Sequence, residues 1–324
     1  MLAARREITS SLFKRSTPLL LPSFSSMAMA QEKVQQILDY MAQAITEEIL
    51  VSAFDVHYRH ITKKIRFAST IFLDSGGYEA SDEGDLSDVT KRPRVRTRWT
   101  QDDHRSVLAA WDFQTPTVIV SYDSPTARAS ILNQIVRAGK LFAKFPRGVP
   151  EILFKAEPGE RQLTIDRVIE HKHKLAPFAI IGVTEKELGQ SMLERMLNIA
   201  RLRKALKSVD LETPIHIFGS LDTVSTPLYF LAGADIFDGL TWLRYAFREG
   251  VTVYKNNYGA MNLGVSFADF RVNGKVWNDN YYSMLAIKED MAKFLLASDF
   301  SSFRHNAQFF EGAYKQFQER ARDI

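Results

Sequence analysis

The chain reads as an α/β protein: a (β/α)8 TIM barrel with a small appended β region and C-terminal helices. Three observations lead there. Eight short, nearly continuous apolar runs recur before Leu240, the form taken by strands buried on both faces of a parallel sheet. The intervals between them carry helical periodicity. No GxGxxG phosphate loop follows any run, which leaves the runner-up, an open doubly wound sheet, the weaker reading.

In order, the runs are "TPLLLPSF" (17–24), "EEILVSAF" (47–54), "TIFLDSGG" (70–77) and "TPTVIVSYD" (115–123), then "PEILFKAE" (150–157), "PFAIIGVT" (177–184), "PIHIFGS" (214–220) and "ADIFDG" (234–239). Between them, "QEKVQQILDYMAQAI" and "QSMLERMLNIARLRKAL" place apolar residues three and four apart, as one helix face requires. "TQDDHRSVLAAW" opens with Thr100 as an N-cap and two acids in the first turn. After Asp238 the pattern changes. "REGVTVYKNNYGAMNLGVSFADFRVNGKVW" reads as hairpins and turns, and the last segment as closing helices.

The 324 residues are 45% hydrophobic, enough for one barrel-sized core, and no linker divides them, so 1–324 reads as a single domain with an appended part at about 248–324. Lys plus Arg exceed Asp plus Glu by 42 to 38, a mild basic bias compatible with a polyanionic partner. The absence of cysteine excludes disulfides, thiolate metal sites and a cysteine nucleophile. No apolar run reaches membrane-spanning length. The opening "MLAARREITSSLFKRSTPLLLPSF" has some features of a transit peptide, yet its apolar stretch continues into patterned sequence and reads as the first elements of the fold. A cytoplasmic protein is the expectation.

Active sites of such barrels gather at the C-terminal ends of the strands. There the sequence places Asp74 (strand three), Asp123 (strand four) and Asp238 (strand eight), with Lys155 and Glu157 after strand five and Gly182 and Gly219 closing strands six and seven. Each aspartate alone is an ordinary turn or cap residue; three on separate strands converge on one pocket. No serine sits in a nucleophile elbow. Carboxylates can serve as nucleophile and as acid/base at an anomeric carbon.

These residues resemble the tRNA-guanine transglycosylase family. Its Asp-Ser-Gly-Gly-aromatic motif stands here as Asp74-Ser75-Gly76-Gly77-Tyr78, followed by Glu79 where the family usually has Gln. Its strand-four acid follows an aromatic, as in Tyr122-Asp123. The strand-six region is similar to "FAIIGVTEKELGQ", with Ile181 in place of a second glycine, and the strand-eight signature to "GADIFDGLTWLRYAF", with Asp238 and Arg244 at the family's spacing. The ordered set covers nearly the whole chain.

The resemblance implies that Asp238 attacks C1′ of a nucleotide and that Asp74 handles the proton of the departing and incoming bases. It implies a base site of Asp123, Ser75, Tyr78 and backbone donors near Gly182, and a nucleic-acid contact at Arg244. It further implies a base exchange that inserts a 7-deazaguanine such as 7-cyano-7-deazaguanine, for which the target base must leave its stack. A homodimer or accessory subunits also fit the resemblance.

The family's structural zinc, held by Cys-x-Cys-x-x-Cys and a later His, falls on Asp269, Arg271, Gly274 and His305. One imidazole cannot replace four ligands, so no metal and no cofactor are expected. A cysteine-free, zinc-less member resembles the branch that modifies DNA, which favours DNA over tRNA. The alternatives are a tRNA enzyme that lost its zinc and a noncatalytic nucleic-acid-binding subunit. "KRPRVRTRW" (91–99) offers Arg94, Arg96 and Arg98 to phosphates and Trp99 to a base, or is a solvated basic loop. "EHKHK" (170–174) reads as a polar helix end rather than a metal site.

Overall fold

Each apolar run divides its side chains between two faces, because successive residues of a strand point to opposite sides. In the structure, a computed structural model describing residues 1–10, 13–28, 34–88, 96–124 and 126–323, the runs become β1 (Leu19–Phe24), β2 (Glu48–Ser52), β3 (Thr70–Asp74), β4 (Thr117–Val120), β5 (Val149–Phe154), β6 (Ile180–Thr184), β7 (Ile215–Phe218) and β8 (Ile236–Gly239). Every neighbouring pair is parallel. The sheet closes where β8 meets β1, Ile236 opposite Leu19 and Asp238 opposite Leu21. This is a (β/α)8 TIM barrel.

One face of each strand fills the interior. Leu19, Leu21, Leu50, Phe72, Val118, Val120, Leu153 and Ile236 form that filling, and Glu151 and His216 share its parity. The other face, with Val51, Ile71, Ile119, Ile152, Ile181, Ile217 and Phe237, packs against the helices. Burying each such side chain contributes about 1.5–3 kcal/mol before chain entropy is counted.

The start of the chain belongs to the fold. Residues Glu7–Thr9 and Lys14–Ser16 pair as a hairpin, and Ile8 is fully buried in the interior cluster at the end opposite the strand-end acids. Arg6 is buried with it. Its Nη1 lies 2.8 Å from Asp235 Oδ1, and Asp235 also pairs with the buried Arg203. Ions so enclosed need partners, and this network ties the hairpin to the foot of β8.

The expected helices form. Val34–Met41 and Met192–Lys207 bury one face each. Gln101–Ala110 begins with a reciprocal capping box between Thr100 and Asp103. "EHKHK" closes the helix Ile165–Glu170 in a single 3-10 turn.

The region after β8 is more helical than its sequence suggests. Its β part is one hairpin, Ala246–Arg248 with Val251–Val253, turned by Glu249 and Gly250 at positive φ. Residues read as turns instead form the helices Lys255–Leu263 and Asp269–Ala297, followed by Ala307–Arg320. Tertiary contacts override the Gly, Asn and Asp of "DFRVNGKVWNDN". Asn280 accepts from Phe247 N and donates to the carbonyls of Trp242 and Tyr245, and Trp277 donates to Leu243 O. The long helix is thereby fastened to the loop after β8. Among the described residues no helix is long and apolar enough to cross a membrane.

Candidate active site

The C-terminal ends of the strands surround a cavity of about 160 Å³ whose wall includes Asp74, Ser75, Tyr78, Asp123 and Asp238. Five of the residues singled out by sequence are thus brought together. Their local geometry is built by glycine. After β3 the chain turns through Gly76 at φ +87°, where an added β-carbon would stand 2.7 Å from Phe54 Cβ. Gly77 follows, packed onto the Asp123 carboxylate.

Asp238 is 6% exposed and held from several sides. Ser23 Oγ donates to Oδ2 at 2.8 Å, and Gly219 N donates to Oδ1 at 3.2 Å. Gly239 N donates to Ser23 Oγ, which sets the direction of that hydroxyl. His216 Nε2 stands 3.2 Å from Oδ1, an ion contact off the line of a good hydrogen bond. Donors so placed fix the orientation of the carboxylate, which lines the cavity.

Asp74 has the opposite environment. It is 8% exposed and takes one backbone donor, Gly76 N at 3.2 Å. Burial, then the charges of Glu79, Asp123 and Asp238, push its pKa well above the usual carboxylate range. Asp74 therefore holds its proton to higher pH than an ordinary carboxylate, while Asp238 faces donors. Two acids in one cavity with such unlike surroundings suit a general acid beside a nucleophile.

Asp123 is half-buried and accepts from Ser75 Oγ. A carboxylate can accept two adjacent N–H groups, such as those on one edge of guanine. Tyr78 lines the wall with its hydroxyl held by Arg244 Nη2 at 2.9 Å.

The other expected residues do different work. Arg244, with its side chain 11% exposed, also contacts Asp85 at 2.7 Å, Ser87 Oγ and Met27 O. It ties Tyr78 to the loop at 85–87 and presents little surface to a phosphate. Gly182 does not line the cavity. It sits in the β5–β6–β7 ladder opposite Leu153 and His216, where an added β-carbon would stand 2.6 Å from the Phe218 ring, so its role is to admit that ring. Trp99, expected to stack on a base, is 5% exposed and donates to Ser75 O at 2.9 Å. The indole instead braces the turn that carries Asp74. Arg96 and Arg98 are exposed, and Arg96 pairs with Asp82 at 3.0 Å. Arg94 lies outside the described residues.

Sequence reasoning missed four participants. Glu79 is 2% exposed, accepts from Ser25 and Ser52, and is driven by burial and by Asp55 to a pKa of about 7. Glu185, on the cavity wall, is likewise raised to about 7, chiefly by burial. Glu151 and His216 lie beneath Asp238, with His216 Nδ1 2.6 Å from Glu151 Oε1. Lys155 was noted at its strand end, and it proves to be engaged by Glu187 at 2.7 Å.

The residues aligned with the family's zinc ligands do not fit that metal. Asp269, Arg271 and Gly274 occupy the opening turns of the helix Asp269–Ala297. The Arg271 guanidinium lies over the rings of Phe267 and Phe270, and an added β-carbon on Gly274 would stand 2.9 Å from Tyr40 Oη. His305 is exposed and packs on Gly250. Among the described residues no group of three or more His, Cys, Asp or Glu side chains could hold a metal ion.

No family model and no curated protein matches the chain.

Proposed function

We propose that the protein is a base-exchange transglycosylase acting on guanine in nucleic acid. One observation carries this reading: Asp74, enclosed beside other acids that raise its pKa, and a donor-held Asp238 face the same cavity. The ordered strand-end motifs support it. In the proposed reaction an Asp238 oxygen bonds to C1′ as the bond from C1′ to the base nitrogen breaks. The Asp74 proton passes to the departing guanine. A 7-deazaguanine then gives its ring proton to the Asp74 carboxylate and attacks C1′, and the electron pair returns to Asp238. Two displacements retain the configuration. Asp123, with Ser75, receives the N–H edge of either base, and Tyr78 offers its ring.

DNA is the favoured polymer, on the resemblance to the zinc-less branch and on the misfit of residues 269–274 and 305 to zinc. The test is exchange of labelled guanine and of 7-cyano-7-deazaguanine into DNA and tRNA offered separately, with denaturing gels to detect a covalent adduct. Label entering DNA with an adduct is expected. Label entering tRNA alone would reassign the polymer, and no label and no adduct with either would remove the reading.

A further inference from the structure

His216 is a fully enclosed polar side chain behind the strand-end acids, and the reaction proposed above does not use it. It sits on β7 with no exposure, its ring stacked on Phe218 at a centroid distance of 4.0 Å. Phe72 of β3 meets it edge-on at 5.9 Å, and Gly182 of β6 lies beside it in the register. Among the described residues, the charges that face it are Glu151 of β5, 2.6 Å from Nδ1, and Asp238 of β8, 3.2 Å from Nε2. An imidazole that carries protons on both nitrogens matches an ionised carboxylate at each side; burial raises the pKa of Glu151, and the charge of His216 lowers it. Burial works against that charge, yet the two carboxylates hold the ring's pKa up at about 9.

The oxygens of Asp238 are not equivalent. Oδ1 receives Gly219 N and faces His216, whereas Oδ2 receives Ser23 Oγ. Attack through Oδ2, the oxygen away from His216, would leave Oδ1 as the ester carbonyl. We propose that His216 is a positioning residue that governs release of Asp238 from the covalent intermediate, an inference that rests on the transglycosylase reading. In the release step the bond from C1′ to Oδ2 breaks as the incoming base nitrogen bonds to C1′. Its electron pair returns to the carboxylate and spreads to Oδ1, where the imidazolium and the Gly219 amide meet it. The proton of the incoming base goes to Asp74, and His216 keeps both of its own.

A cation that steadies the free carboxylate favours its departure more than its attack. The two half-reactions therefore respond differently to loss of His216, and a merely structural role would lower both together. Rapid-quench measurements should separate adduct formation on guanine-containing DNA from release by added 7-cyano-7-deazaguanine. With His216→Gln, adduct should still form and accumulate, while release slows roughly 10²-fold, as when a preorganised donor at a developing anion is removed. Glu151→Gln should shift the balance the same way by a smaller factor, and it carries the test if His216→Gln folds poorly. In the wild type, imidazole nitrogen NMR shifts should show His216 doubly protonated at neutral pH. Equal loss of both half-reactions, unchanged release, or a neutral His216 would overturn the inference. A wild type that forms no adduct on any guanine-containing polymer would instead overturn the transglycosylase reading, and the NMR result would still decide the charge on His216.

Discussion

Gly77 approaches Asp123 so closely that a β-carbon built on it would stand 2.2 Å from Oδ1 of the carboxylate. The end of β3 and the acid after β4 are therefore one unit, joined also by the bond from Ser75 Oγ. A methyl group at Gly77 would push Asp123 aside or lift the turn from Trp99. Gly77→Ala is expected to cost about 1–3 kcal/mol, the usual effect of overpacking, and to abolish binding of free guanine. Urea unfolding and calorimetric titration with guanine check this. Wild-type values in both would show that the contact relaxes freely.

Asp238 and Asp74 should fail differently. Asp238→Asn keeps the shape seen by Ser23 and Gly219 but removes the attacking charge, so no covalent adduct should form while circular dichroism stays native. Asp74→Asn cannot deliver a proton to the leaving base. It should bind guanine yet lower exchange by roughly 10²–10⁴-fold, the range for loss of a general acid. In the wild type, exchange should fall on the alkaline side as Asp74 loses the proton that burial and its acidic neighbours help it keep. Equal adduct yields from the two variants would contradict the division of roles.

The barrel was legible because eight apolar runs alternate with helical periodicity, and the strand-end rule then located Asp74, Asp123 and Asp238. The same reasoning passed over Glu151 and His216. Both lie inside runs that read as continuously apolar, "PEILF" and "PIHIF", and only strand parity marks them. Glu151 stands two residues before Leu153, and His216 two before Phe218, on the face that fills the barrel. A polar residue of that parity was the available signal. The burial of Trp99 had no signal of that kind, since it depends on Ser75 O and Phe54, which follow the ends of β3 and β2. The helix Asp269–Ala297 was obscured because its first turns are rich in turn-forming residues, and its anchors, Asn280 and Trp277, act through tertiary contacts.

Glu79 makes stability depend on pH. Its folded pKa is about 7 against an ordinary 4.5. Between those values the folded chain holds a proton that the unfolded chain has released, so stability falls as pH rises through this window. The 2.5-unit difference corresponds to about 3 kcal/mol as an upper bound. Glutamine at this position can still bond Ser25 and Ser52 without a charge. Glu79→Gln should therefore flatten the decline in urea midpoint between pH 5 and about pH 8, leaving the variant the more stable protein at the alkaline end. A wild-type midpoint that rises across this range would contradict the buried-acid account.

Arg96 and Arg98 are expected to meet the phosphate backbone. They precede Trp99, which is anchored to the turn bearing Asp74, and Arg96 reaches Asp82 beyond the end of that turn, so the pair stands near the rim of the cavity. Both are exposed, and the surface ion pair with Asp82 is weak enough to exchange for a phosphate. Contacts of this kind position a strand without reading its bases. Replacing both arginines by alanine should weaken binding about equally across sequences. It should also lower the slope of log affinity against log salt by roughly one unit for each lost phosphate contact. Fluorescence anisotropy with guanine-containing and guanine-free DNA, at several salt concentrations, gives both quantities. A slope equal to that of the wild type would leave these cations as a solvated loop and move the polyanion track to another part of the barrel mouth.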